Sequence, residues 1–156
     1  MGDTPAKETI LAIDDAPENL DIIKNLLVPD YTVKGAINGA MALKIAAAQP
    51  PTLILLDIMM PDMDGYEVCR RLKADPAVAD IPVIFLTAQD TLMEEAKGLM
   101  LGAVDFILKP VEPKQLVARI RVHITQARRW KSREEALLCR IAALEAELDG
   151  LRRGRG

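Results

Sequence analysis

The sequence predicts an α/β protein, a doubly wound parallel sheet with helices on both faces and an extended helix at the C-terminal end. Three observations carry this reading. Short apolar runs alternate with amphipathic stretches, five pairs in about 120 residues. The central run, Leu53–Leu56 (LILL), is apolar on both faces, as a strand covered on both sides must be. From Leu116 onward, apolar residues recur at 4-3 spacing well beyond an ordinary closing helix.

The elements follow in order. Thr9–Ile13 (TILAI) reads as the first strand and stops abruptly at Asp14-Asp15. A helix is expected from about Pro17, a residue suited to a first turn, to Leu27, with Leu20, Ile23, Leu26 and Leu27 on one face. Tyr31–Gly35 reads as a second strand, and Gly39 to Ala48 as a second helix with Ala40, Leu43 and Ala47 inward. Leu53–Leu56 leads into Asp57, and the loop Pro61–Gly65 precedes a helix from Tyr66 to Lys73. The stretch DPAVADIP breaks that helix, and Pro82–Leu86 (PVIFL) is strand four, ending at Thr87. Glu94–Leu101 is a helix closed by Gly102, a favourable residue just past a helix end. Val104–Leu108 is strand five, ending at Lys109-Pro110, and a last helix starts near Pro113.

Composition narrows the class. A chain of 156 residues, half of them hydrophobic, suits one domain plus an appendage, and with 3% aromatics its core must be aliphatic. No apolar run approaches the ~20 residues that span a bilayer. The start, MGDTPAKET, lacks the apolar centre of a secretory signal, so a cytoplasmic location is expected. Cys69 and Cys139 lie far apart, match no metal spacing and read as free thiols. Charge is uneven. Residues 1–112 hold 9 basic and 18 acidic residues, a balance of −9, while residues 113–156 hold 11 and 5, a balance of +6. An acidic body with a basic tail suggests two parts with different partners.

In parallel α/β sheets ligands sit outside the carboxyl ends of the strands. Asp14 and Asp15, Asp57, Thr87 and Lys109 all stand at such ends, so one rim should collect them. Three carboxylates repel, at about 1 kcal/mol per pair in water and about 4 at an effective dielectric near 20 for a ~4 Å separation. Lys109 supplies one compensating charge, and a hard divalent cation supplies two. Oxygen-only ligands favour Mg²⁺, with Mn²⁺ possible. A metal, an ammonium and a hydroxyl around one carboxylate also suit phosphoryl transfer, with Asp57 as nucleophile.

These residues resemble a known family. The segments IDDAPEN at 13–19, LLDIMMPDMDGYE at 55–67, FLTAQD at 85–90 and DFILKP at 105–110 are similar to the receiver domains of bacterial two-component response regulators. The resemblance covers residues 8–128 and leaves 129–156 as a helical coiled-coil extension or linker. It implies a flavodoxin-like fold with strand order 2-1-3-4-5. It implies Asp57 as phospho-acceptor, and Asp14, Asp15, Asp57 and the Met59 carbonyl as Mg²⁺ ligands, Asp14 mainly through water. Thr87 and Lys109 would stabilise the phosphoryl group, and Phe106 would be the switch aromatic, lacking a tyrosine's hydroxyl. Pro110 would follow a cis peptide bond, and Gly65 and Pro61 would shape the acceptor loop. The donor would be a histidine kinase or histidine phosphotransfer protein. The domain would be a switch with slow self-dephosphorylation rather than an enzyme. Its output would leave through the face of helix four, strand five and helix five. Met59 and Gln89 would flank the attacking water and set phosphate lifetime. A haloacid-dehalogenase-type hydrolase is the rival from another class, but the second aspartate it wants stands as Met59 here. A receiver that docks without phosphate is a further rival, set against by the intact Asp-Asp, Asp, Thr, Lys set.

The 4-3 seam runs Leu116, Ile120, His123, Ala127, Trp130, Glu134, Leu137, Ile141, Leu144, Leu148 and Leu151. It is apolar throughout from Leu137 to Leu151 and predicts a parallel coiled-coil homodimer. His123, the one histidine, reads as an imperfect position in that seam. Arg128, Arg129, Lys131 and Arg133 form a basic cluster, but no helix-turn-helix pattern follows, so no nucleic-acid role is expected. The chain is expected to be the N-terminal part of a larger effector protein.

Overall fold

The structure, a computed structural model, describes residues 7–88 and 92–154. Five strands, β1 (Thr9–Ile13), β2 (Thr32–Ala36), β3 (Leu53–Asp57), β4 (Val83–Thr87) and β5 (Asp105–Leu108), alternate with five helices. The helices are α1 (Pro17–Leu27), α2 (Gly39–Ala48), α3 (Gly65–Ala74), α4 (Leu92–Met100) and α5 (Pro113–Gly154). All strand pairs are parallel, as the sequence predicts, and the sheet order is β2-β1-β3-β4-β5, as the resemblance implies. Strand and helix limits move by one or two residues; α3, for example, begins at Gly65 rather than Tyr66.

Alternation along the strands splits the core into two layers. Ile10, Ala12, Leu53, Leu55, Ile84 and Leu86 join α1 and the first turns of α5, where Ile23, Leu27, Leu116, Ile120 and Ile124 are buried. Leu11, Ile13, Ile54, Leu56 and Phe85 face the other way, onto α2 and α3. Every residue of β3 and β4 is buried. A fully buried Leu or Ile contributes about 1.5–3 kcal/mol, so these two strands anchor the sheet.

Local chemistry fixes the helix starts. Asn38 accepts the Met41 N–H at 2.8 Å and Asp64 accepts that of Glu67 at 2.9 Å, satisfying donors that a helix leaves open. Gly102 ends α4 at φ 105, a left-handed conformation that favours glycine. The inward face of α2 differs from expectation: Gly39, Ala42 and Ala46 are buried, and Ala40 and Ala47 are exposed. With apolar residues all round GAMALKIAAA, only the approach to α3 could set its rotation. A Cβ on Gly39 would stand 2.7 Å from Val68 Cγ2, so α2 turns its smallest residue toward α3.

The chain divides into two compact units after Ile124, four residues ahead of the expected boundary at 128/129. The expected seam is corrected here for its first turns. Leu116 and Ile120 lie in the core, 0% exposed, and cannot serve a second chain. The second unit holds the rest of α5, whose side chains beyond Ala127 are exposed.

Candidate functional site

The strand ends converge as the parallel topology requires. Asp14 follows β1, Asp57 ends β3, Thr87 ends β4 and Lys109 follows β5. Asp14, Asp57 and Thr87 are the buried polar residues of the described chain, at 1, 5 and 1% exposure. Carboxylate oxygens of Asp14, Asp15 and Asp57 lie within 4.8 Å of one another, with Asp15 facing solvent.

Each acid has its own support. Asp14 Oδ1 accepts the Ala16 N–H at 2.9 Å, and its Oδ2 accepts from Asn19 at 3.2 Å and from Lys109 Nζ at 2.9 Å. Lys109 Nζ also stands 3.4 Å from Asp57 Oδ1, bridging the two buried acids. Burial pushes the Asp57 carboxyl above its ordinary range; Lys109 opposes this, Asp14 adds to it, and the Met59 N–H draws it back in part. Burial alone would lower the Lys109 ammonium, but the hydrogen bond to Asp14 and the charges of Asp57 and Asp14 leave it raised. The lysine therefore stays charged where the acids need it.

The donor set fits a hard divalent cation. It offers only oxygens, its three carboxylates leave two negative charges beyond the one Lys109 offsets, and one face opens to water through Asp15. Met59, two residues past Asp57, is 60% exposed beside this opening in sequence. Gln89 lies outside the described residues.

Gly65 places the loop. A Cβ there would lie 2.4 Å from the Asp57 carbonyl oxygen and 2.8 Å from Ile58 Cα, so only glycine lets α3 begin against the end of β3. The Gly65 N–H donates to the Ile58 carbonyl at 2.9 Å, closing the loop back on β3. The Lys109–Pro110 peptide is cis, and so is Val28–Pro29, which the sequence did not announce.

Phe85, two residues before Thr87 on β4, belongs to an aromatic row that sequence reading missed. Tyr66 and Phe85 ring centroids are 5.5 Å apart, and Phe85 and Phe106 are 5.8 Å apart. The Tyr66 hydroxyl donates to the Glu94 carboxylate, and the Lys97 ammonium sits 4.3 Å from the Tyr66 ring centre. Burial and then Glu94 push the Tyr66 hydroxyl well above the usual phenol range. Gly98 lets α4 approach: a Cβ there would be 2.9 Å from Phe85 and 3.0 Å from Phe106. No spacing in the sequence hints at this row, since its three rings come from α3, β4 and β5.

His123 is corrected too. It does not stand in a seam but 2.9 Å from Asp105 Oδ2, while Arg119 holds Asp105 Oδ1 at 2.7 Å. Burial would raise Asp105, but Arg119, His123 and the Phe106 N–H leave it lowered. Cys69 and Cys139 are free, as expected. No helix among the described residues is long and apolar enough to cross a membrane.

A parallel sheet in this order with acids, lysine and hydroxyl at one rim defines a class of signalling domain. Residues 10–121 match the response regulator receiver domain, and the chain belongs to that family. A probable cyclic di-GMP phosphodiesterase of Vibrio cholerae is 43% identical over 120 residues, covering 77% of this chain and 27% of that protein. Response regulator PleD of Caulobacter vibrioides is 40% identical over 149 residues, covering 91% of this chain and 33% of that protein. Chemotaxis protein CheY4 of Vibrio cholerae superposes with a TM-score of 0.72 at 26% identity, covering 74% of this chain and 98% of that one. This chain thus spans a third or less of the length of these two curated relatives.

Proposed function

We propose that this chain is a phosphorylation switch whose Asp57 accepts a phosphoryl group from a phosphohistidine of a histidine kinase or phosphotransfer protein. The observation that carries the reading is the bridging of Asp14 and Asp57 by Lys109 at the rim, beside Asp15. An Asp57 oxygen attacks phosphorus as the P–N bond breaks, and the electron pair returns to the donor imidazole. Lys109 exchanges its carboxylate partners for phosphoryl oxygens, losing nothing in charge pairing. Asp14 and Asp15, with Asp57 and the Met59 carbonyl, would hold Mg²⁺, or Mn²⁺, which would supply charge neutralisation for the transferring oxygens.

The acyl phosphate puts new negative charge beside the Thr87 hydroxyl at the end of β4. Thr87 turns toward it, and Phe106, half-buried against Phe85 and Gly98, moves into the space left behind. That biases a two-state packing of α4, β5 and α5. Pro110 and Gly65 keep the flanking loops in place. The distal part of α5 joins two chains, with Leu137, Ile141, Leu144, Leu148 and Leu151 exposed by 43 to 64%. Acetyl phosphate with Mg²⁺ should add one phosphoryl group by mass, and Asp57→Asn should add none. Labelling of Asp57→Asn at the wild-type level, or no labelling by any donor, would sink the reading.

A further inference from the structure

The buried first turns of α5 leave a shorter seam than its spacing suggests, and this decides how two chains can meet. Leu116, Ile120 and Ile124 are spent in the core, and Ala127, Trp130 and Glu134 offer a small, a bulky and a charged residue. The uninterrupted apolar part is Leu137, Ile141, Leu144, Leu148 and Leu151. In heptad terms Leu137, Leu144 and Leu151 take d, and Ile141 and Leu148 take a. Branched Ile at a with Leu at d favours two parallel strands.

We propose that a second copy of this chain pairs along Leu137–Leu151 in parallel and in register, with Arg140 meeting the partner's Glu145 and Glu147 meeting the partner's Arg152. This rests on the self-association reading above and deepens it to one geometry. Apolar layering and charge select it independently. Parallel in-register pairing sets each of the five seam residues on its own copy. Antiparallel pairing that places Ile141 on Leu144 keeps four layers and lays Leu151 over the partner's Glu134. A parallel slip of one heptad keeps three.

Charge selects the same register. Arg140 and Glu147 stand at g, Glu145 and Arg152 at e, and parallel chains bring each g beside the following e of the partner. In register, both such contacts are opposite in sign, and symmetry makes each occur twice. A one-heptad slip sets Arg140 against Arg152 and Glu147 against Glu145, like on like; only Arg133 gains an acid there. Cys139 stands at f, pointing away from the partner, so the native thiol is no natural crosslink. The helix needs no new nucleus to extend this far, because its first turns are already fixed in the core.

The test uses the full chain with Cys139→Ser. Leu144→Cys in that background should oxidise readily to a covalent dimer, since parallel in-register chains bring position 144 against itself. A mixture of Leu137→Cys and Leu148→Cys variants should give little mixed crosslink. Arg140→Glu should weaken association roughly 3- to 10-fold, and adding Glu145→Arg should restore it, as expected of exposed pairs at e and g. A dimer in sedimentation whose 137–148 mixture crosslinks while 144 does not would overturn the geometry and leave self-association standing. A monomer at micromolar concentration would overturn both. Loss on Arg140→Glu without rescue would also overturn the pairing.

Discussion

The two halves of α5 share one helix and each carries an apolar stripe, at 4-4 spacing in the first and 4-3 in the second, yet the stripes meet opposite fates. In the first, Leu116, Ile120 and Ile124 are at most 2% exposed, packed on β1, β3 and β4. In the second, Leu137, Ile141, Leu144, Leu148 and Leu151 remain open by 43% or more. An apolar stripe along a helix is therefore a statement about having a partner, not about which partner. A sheet face and a second helix both demand a stripe, and both are met by Leu and Ile.

The comparison can be broken from either side. The largest effect falls on function: Asp57→Asn should abolish phosphorylation, whereas Leu144→Glu, in the open half, should leave its initial rate with acetyl phosphate unchanged within about twofold. Equal loss in both would tie the two halves together chemically. Next comes stability. Ile120→Ala should cost about 2–5 kcal/mol in denaturant unfolding, from lost transfer energy plus a cavity. Leu144→Ala should leave unfolding of a dilute, monomeric sample within about 0.5 kcal/mol, as for surface changes.

Gly65→Ala sharpens the picture of the rim. Its methyl would meet the Asp57 backbone, and overpacking against backbone should cost about 1–3 kcal/mol together with slower phosphorylation. Asp105→Asn tests the Arg119 ion pair and the His123 contact that hold α5 to β5. Because folding lowers the Asp105 pKa, its stabilisation is present above the unfolded carboxyl value of about 3.9 and is lost as pH falls through the lower folded value. The variant should lose about 1–2 kcal/mol near neutrality and show a flatter acid decline than the parent below about pH 4. The smallest effect is expected at Gly150, which faces open space within α5: Gly150→Ala should raise helicity and stabilise that segment by up to about 1 kcal/mol.

The rim was legible before the fold was seen because charge and topology constrain each other. Acids, threonine and lysine at the ends of apolar runs have one place to go when every strand points the same way. The pairing of Lys109 with both Asp14 and Asp57 then follows from like charges needing a cation. The aromatic row was not legible. Tyr66, Phe85 and Phe106 lie on three separate elements, and nothing in their spacing shows that α4 closes over them through Gly98.

The sequence by itself determined the order of strands and helices, the parallel sheet and the polar rim, because periodicity and strand-end chemistry are local properties of the chain. Only the tertiary structure decided the rotation of α2, the burial of the first turns of α5, and the capture of His123 by Asp105. Those depend on which surfaces meet across the sheet. A side chain's spacing along a helix says that it seeks burial, but only packing volume and the charges already in place say where.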